Sequence, residues 1–309
     1  MRREHYSLST ERTYCNWVRQ FIQFHKILTK EALFVEQKQK VEDFLNYLAI
    51  AKNVAASTQN QAFNALVFLY KRVLESPLEN VKAARSSKEA RIPVVLTRGE
   101  VKQVLSLLDG VPELVVKLLY GSGLRITEAV RLRVQDIDFG FKQVTVRDGK
   151  GMKDRVTPFP GNLESLLRNH LERVKMIHEK DLAQGFGCVY LPYALSHKYP
   201  NAEREWNWQY VFPGRGLSKD PRSEIIRRHH VDQSVINKAI KKAVRKLGIY
   251  KKVSAHTFQH SFATHLLQRG TDIRTIQSLL GHADLQTTMI YTHVLQQGGA
   301  GVVSPLDDL

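Results

Sequence analysis

The chain is short of several things, and each shortage excludes a class of protein. It holds only two cysteines, Cys15 and Cys188, in 309 residues, which rules out a disulfide framework and any cysteine-rich zinc site. No stretch approaches the ~18–20 apolar residues of a membrane span. The first residues, MRREHYSLSTERTY, contain no apolar h-region, so neither a membrane partner nor a secretory leader is expected and a cytoplasmic location is. Acidic residues are scarce beside basic ones: 30 Asp+Glu against 46 Lys+Arg, a formal net charge of +16. With 43% apolar and 25% charged residues, the composition is still that of a folded globular chain. A cation excess on a folded chain points to a polyanion partner, most often nucleic acid.

The excess is shared along the chain. Residues 1–90 hold 14 Lys+Arg and 9 Asp+Glu, and the rest hold 32 and 21, so the charge belongs to folded segments and not to a basic tail. The length suggests about two domains. Residues 1–85 predict a small helical bundle: Tyr14, Trp17, Val18, Phe21 and Ile22 form one helical stripe, Val41, Phe44, Leu45 and Leu48 a second, and Ala62, Leu66, Phe68, Leu69 and Val73 a third. Ser76-Pro77-Leu78-Glu79 has the form of a helix start. A polar, basic stretch follows, and residues 86–94 are expected to be a linker.

Residues 95–309 predict a second domain, mainly α with a small β-sheet. Thr97-Arg98-Gly99-Glu100 is a capping-box pattern. Val144-Thr145-Val146 and Val156-Thr157-Pro158 flank Asp148-Gly149-Lys150-Gly151, a hairpin signal. Residues 186–224, rich in Pro, Gly, Trp and Tyr, break the pattern before helices return.

Four short segments carry chemistry. In Gly123-Leu124-Arg125-Ile126-Thr127-Glu128, an Arg at a helix start after a Gly-rich turn can present its fork to a phosphate. Lys150, on a glycine-flanked turn, can protonate a leaving alkoxide. In His256-Thr257-Phe258-Gln259-His260-Ser261 two histidines stand four apart, but no Glu lies between them and no cysteine is near, so no metal site is expected. Gly281-His282 reads as a helix end followed by a histidine in the turn, with Tyr291 nine residues later on a short helix. Taken singly, each has a plain alternative: a surface Arg, a solvated turn, a packing tyrosine.

Arg125, Lys150, His256, His282 and Tyr291, in this order and within GLRITEAVRL, DGKG, HTFxHSFATHLL, LLGH and TTxIYTHV, resemble the active site of the lambda-integrase-like tyrosine recombinases. The helical first domain resembles that family's SAM-like core-binding domain. The resemblance implies a two-domain, C-shaped clamp around DNA. Its site would need neither metal nor cofactor, and the protein would form a homotetramer on two DNA sites. Tyr291 would be the nucleophile that forms a 3′-phosphotyrosine. Arg125 would clamp the phosphate, Lys150 would act as general acid, His256 would assist proton transfer at the tyrosine, and His282 would hydrogen-bond the phosphate.

The segment from about 188 to 222, with Leu191-Pro192-Tyr193-Ala194-Leu195, Trp208-Gln209-Tyr210-Val211-Phe212-Pro213 and Arg227-Arg228-His229-His230 beyond it, resembles the insertion of integron integrases. That implies recombination of gene cassettes between a double-stranded attachment site and a folded single-stranded cassette site. Trp208, Pro221, His229 and His230 would meet its protruding bases, the alternative being that Trp206 and Trp208 pack the insertion's own small core. The apolar end, residues 301–309, is expected on a neighbouring protomer or frayed.

The chain departs from the family at Gln259, where the pattern has a second Arg. A neutral amide replaces a permanent charge with a bidentate fork, so slow cleavage is expected. Two other readings stay open: a DNA-binding protein of the same fold without catalysis, and a type IB topoisomerase-like activity.

Overall fold

The computed structural model describes residues 6–83, 93–147, 154–191, 195, 198–221 and 223–297, without the side chains of 293–297. The chain divides into two compact units, Met1–Arg91 and Ile92–Leu309. The expected linker falls mostly on residues outside those described.

Among its described residues, the first unit is built around three α-helices. Helix α1 (Leu8–Phe24) starts where the Ser7 hydroxyl accepts from the Thr10 N–H, a side-chain N-cap. Helices α2 (Gln37–Asn46) and α3 (Ala56–Phe68) each run on into a single wider, π-type turn, Tyr47–Ala51 and Leu69–Val73. Their apolar stripes meet in one core of Phe21, Val41, Phe44, Leu45, Leu48, Ala62, Leu66 and Tyr70. The buried Tyr70 hydroxyl donates to the Leu33 carbonyl at 3.0 Å, so its polar end is satisfied.

The helix expected to start at Ser76 does not form. Glu75 and Asn80 bracket the segment in the left-handed region, with φ of 53° and 49°. The Ser76 hydroxyl donates to Gln37 Oε1 at 3.0 Å instead of capping. Leu78 and Val81 lie against the core, so burial of these two side chains outweighs the local capping pattern.

In the second unit, Thr97 and Glu100 complete the capping box that opens α4 (Arg98–Ser106). Helix α5 (Gly110–Ser122) ends on Gly123, and α6 (Ile126–Arg131) follows at once. Strands β1 (Ile137–Asp138), β2 (Gln143–Val146) and β3 (Arg155–Pro158) form an antiparallel sheet in that order. Val144 faces Thr157 across β2 and β3. Lys150, between β2 and β3 in sequence, lies outside the described residues. Helix α7 (Glu164–Ala183) leads into the irregular segment. Within and beyond that segment, β4 (Pro213–Lys219) pairs antiparallel with β5 (Ile226–His230).

This second ladder had no sequence signal. Pro-Gly-Arg-Gly-Leu-Ser-Lys lacks the alternation of a half-buried strand, and the register shifts between Pro213 and Leu217. Tertiary bonds hold it: Arg228 donates to the carbonyls of Gly214 and Arg215, both at 2.9 Å, and pairs with Asp181 of α7.

Among the described residues, four helices follow: α8 (Gln233–Lys246), α9 (Ala255–Gln268), α10 (Ile273–Leu280) and α11 (Gln286–Gln297). Helix α9 is buried nearly all round, as expected of a helix in the centre of a core. Its Phe258 joins the main core of Val116, Leu119, Leu124, Val144 and Ile240. One turn on, Phe262 joins a second cluster with Ala263, Ile276, Leu280 and Tyr291.

Candidate active site

Gln259 and His260 lie on α9 between these two cores. Gln259 is 4% exposed, and its Nε2 donates to the Gly123 carbonyl at 2.9 Å. Gly123 ends α5 with a φ of 67°, a conformation that favours glycine. A Cβ there would stand 2.4 Å from Phe262 Cε1. The turn is thus pressed against α9, and it delivers Leu124 to the core and Arg125 to the start of α6.

Arg125 meets a carboxylate that two arginines share. Glu128 accepts from the Arg125 N–H at 2.7 Å and from Arg125 Nη1 at 2.8 Å. It also accepts from both terminal nitrogens of Arg155, at 2.9 and 2.7 Å. Burial pushes the Glu128 carboxyl up, but the bonds and charge of Arg155, then the N–H and charge of Arg125, outweigh it and hold it below the usual carboxylate range. Arg155 Nε donates to the Leu279 carbonyl at 2.8 Å. It thereby ties β3 to the last turn of α10, next to Gly281. Gly281 ends α10 with a φ of 61°, and His282 follows, its Nδ1 2.9 Å from the Thr288 hydroxyl.

Tyr291 is 1% exposed. Its hydroxyl is hydrogen-bonded to His260 Nδ1 at 2.9 Å. Burial pushes the phenol up to about 12, with the Arg125 charge pulling the other way. Burial likewise pushes His260 down to about 4, the neighbouring His256 adding to it. The imidazole is therefore neutral near pH 7, and with its proton on Nε2 it accepts from the phenol O–H at Nδ1. One connected network runs from the Gly123 turn through Gln259 and His260 to Tyr291, and another from Arg125 through Glu128 and Arg155 to the turn that holds His282.

Residues 95–297 match the model of the phage integrase family, and residues 1–80 that of the phage integrase N-terminal SAM-like domain. The chain belongs to the phage integrase family, the tyrosine recombinases. An integrase/recombinase of Escherichia coli is 48% identical over 306 residues, spanning 99% of this chain and 90% of its own. The tyrosine recombinase XerA of Pyrococcus furiosus is 35% identical over 259 residues, spanning 82% of this chain and 76% of its own. In structure, the chain is similar to the XerH site-specific recombinase bound to palindromic difH, with a TM-score of 0.61 at 20% identity over 96% of this chain and 79% of that one. That likeness is one of fold.

In this tyrosine recombinase family member, Arg125, Gln259, His282 and Tyr291 all belong to the second unit and to the two networks. His256 is exposed, and its ring centre lies 6.4 Å from that of His260. The sequence placed His256 at the tyrosine; in the structure the partner of the Tyr291 hydroxyl is His260, one helical turn further on and facing the second cluster. Sequence reasoning weighed His260 only as a metal ligand, and it passed over Glu128 and Arg155. The signal for Glu128 was its place three residues after Arg125 at a helix start; nothing local marked Arg155.

The insertion residues gather elsewhere. His229 is exposed and stacks on Tyr210 with ring centres 5.7 Å apart and planes 5° apart, while Arg133 covers Tyr210 with its guanidinium 4.1 Å from the ring centre. His230 packs edge-on against both rings. Pro221 is exposed between β4 and β5. Trp208 is half-buried against Val189, Leu191, Ala202 and Tyr210, whereas Trp206 packs on the main core of the unit and not on that small cluster. Arg227 donates to the Val189 carbonyl at 3.1 Å, and Arg228 is held by Asp181.

Proposed function

We propose that this chain is a site-specific DNA recombinase of the integron integrase type, which cuts and rejoins DNA through a 3′-phosphotyrosine to integrate or excise gene cassettes. What carries the reading is the convergence on α9, where Gln259 is tied to the turn that leads into Arg125 while His260 holds the Tyr291 hydroxyl. Tyr291 is the nucleophile. Arg125 clamps the scissile phosphate and neutralises its developing charge, His282 hydrogen-bonds it, and the exposed His256 assists proton transfer at the tyrosine. Lys150 protonates the leaving 5′ oxygen. The exchange conserves phosphodiester energy, so it runs without ATP or metal, in a tetramer on two DNA sites. The exposed His229 on its Tyr210 platform, with Trp208 and Pro221 on the same insertion, supports contact with protruding bases by stacking, worth ~1–3 kcal/mol per base.

The lack of a cation at position 259 supports a second reading, occupancy of the site without cleavage. Gln259 is engaged by Gly123, and Arg227 and Arg228 are engaged within the insertion. One experiment separates the two. The protein is incubated with a nicked suicide substrate carrying a folded cassette site and run on a denaturing gel. A covalent adduct that Tyr291→Phe abolishes is the recombinase outcome. Salt-sensitive binding with no adduct, either in this chain or in Gln259→Arg, is the occupancy outcome.

A further inference from the structure

We infer that Arg133 is the positioning residue of the insertion: it locks the Tyr210–His229 platform to the end of α6 and so fixes how far from the scissile phosphate a protruding base is held. This rests on the recombinase reading above, with its stacking platform, and adds a specificity-determining residue to it.

The lock begins in the backbone. Residues 132–134, just past the end of α6, pair with residues 209–211 of the insertion. The Val211 N–H donates to the Leu132 carbonyl at 2.8 Å, and the Val134 N–H to the Gln209 carbonyl at 3.0 Å. Arg133 and Tyr210 therefore stand directly opposite each other in an antiparallel pair. It is the non-hydrogen-bonded kind, which brings two side chains closest. The guanidinium lies over the Tyr210 ring, 4.1 Å from its centre. Its terminal nitrogens donate to the carbonyls of Trp208 and Tyr190, both at 2.7 Å. One side chain thus ties two separate stretches of the insertion, and the ring between them, to the end of α6.

Arg125 stands at the other end of the same helix, in the cap position before its six residues, so about 9 Å of helix separates the two ends. Ile126, Ala129 and Val130 of α6, and Leu132 beyond it, are buried in the main core, and the helix cannot shift without repacking that core. The residue assigned to the phosphate and the residue that holds the platform are therefore fixed by one rigid element. His229 is exposed on the buried Tyr210 ring, so a base laid on that imidazole sits at a set distance from the phosphate that Arg125 clamps. The role suits arginine: its planar fork serves two carbonyls while its face lies on a ring, which a lysine ammonium cannot do at once.

The test measures dissociation constants of the full chain for a synthetic DNA hairpin with unpaired bases near its cleavage position and for the same hairpin with those bases deleted. The unpaired bases should favour binding by about 5–150-fold per base, the worth of one stacked base, and His229→Ala should remove that advantage. Arg133→Lys is expected to remove most of it as well while binding the fully paired hairpin at parental strength, which also shows that the variant is folded. The two losses should not add, so His229→Ala on top of Arg133→Lys should cost little more. Spacing gives a second readout: moving the unpaired bases one or two pairs along the stem should weaken the parent sharply and Arg133→Lys hardly at all. If Arg133→Lys keeps the parental advantage and spacing preference, if the losses add in full, or if it weakens both hairpins equally, the inference is wrong while the stacking platform stands. If the parent shows no advantage, or His229→Ala leaves it intact, the platform reading fails and this inference with it.

Discussion

Gln259 Nε2 donates to the carbonyl of Gly123 at 2.9 Å. The side chain at the position where a second arginine is expected is therefore turned onto the turn that carries Arg125. A neutral amide, buried and satisfied, stabilises that turn without an anion present. An arginine in the same pocket needs a counter-charge, and the scissile phosphate is the group that would supply it.

Gln259→Arg is accordingly expected to act in two ways. Covalent adduct on a suicide substrate should rise by about 10²–10³-fold, the size of effect seen when a single donor to a developing oxyanion is gained or lost. Thermal unfolding of the free protein should occur at a lower temperature, and the deficit should shrink when DNA is bound. An adduct rate no greater than that of the Gln259 protein would show that position 259 does not meet the phosphate.

Glu128 holds two arginines at once, so its loss should be felt by both. Glu128→Gln is expected to cost about 3–5 kcal/mol in unfolding free energy, the range for breaking a buried ion pair from one side. Because the folded carboxyl lies below its ordinary value of 4.5, its stabilisation is complete above that pH. It is lost as pH falls below it and through the folded value. Denaturant unfolding from pH 7 to pH 3 should therefore show a smaller acid loss in Glu128→Gln than in the parent. Equal acid losses in the two proteins would refute the shared clamp.

His230 gives a second pH window of its own. Burial pushes it from 6.5 down to about 4, against the pull of its bond to the Val231 carbonyl, with His229, Arg131 and Arg133 adding to the depression. The unfolded chain thus binds a proton that the folded chain refuses between those two values. Stability should fall as pH is lowered from 6.5 towards 4 and level off below. His230→Asn should remove part of that slope, as measured by unfolding midpoint against pH. A slope unchanged by the substitution would place the sensitivity in other buried histidines.

Gly123→Ala tests the turn itself. The left-handed backbone alone costs about 1–2 kcal/mol for a residue with a Cβ, and the added carbon would meet the Phe262 ring at 2.4 Å. The variant should unfold earlier and lose adduct formation, because Arg125 and Gln259 are both placed by this turn. A variant with parental stability and adduct rate would show that α9 yields at Phe262 without consequence.

Much of the fold was legible because it is local. The three stripes of the first unit, the Thr97–Glu100 capping box and the β2–β3 pairing follow from residue spacing, and the structure forms each of them. The segment after α3 was misread for the opposite reason. Ser76 and Pro77 carry a helix-start pattern, but Leu78 and Val81 gain more by lying on the core than the pattern can hold. The β4–β5 ladder was illegible because its strands are polar and glycine-bearing, and their hold comes from Arg228, Asp181 and carbonyls brought in from elsewhere.

The sequence alone determined which chemical groups this chain owns: an excess of cations, a tyrosine nine residues past a turn histidine, and a glutamine where a cation is expected. Ordered motifs carry that information because residue type and spacing are properties of the chain. Tertiary structure decided which groups meet. It set His260 rather than His256 on the Tyr291 hydroxyl, joined Arg125 and Arg155 through Glu128, and turned Gln259 onto Gly123. A helix buried on most sides gives each of its turns a different neighbour, and only packing fixes which neighbour that is.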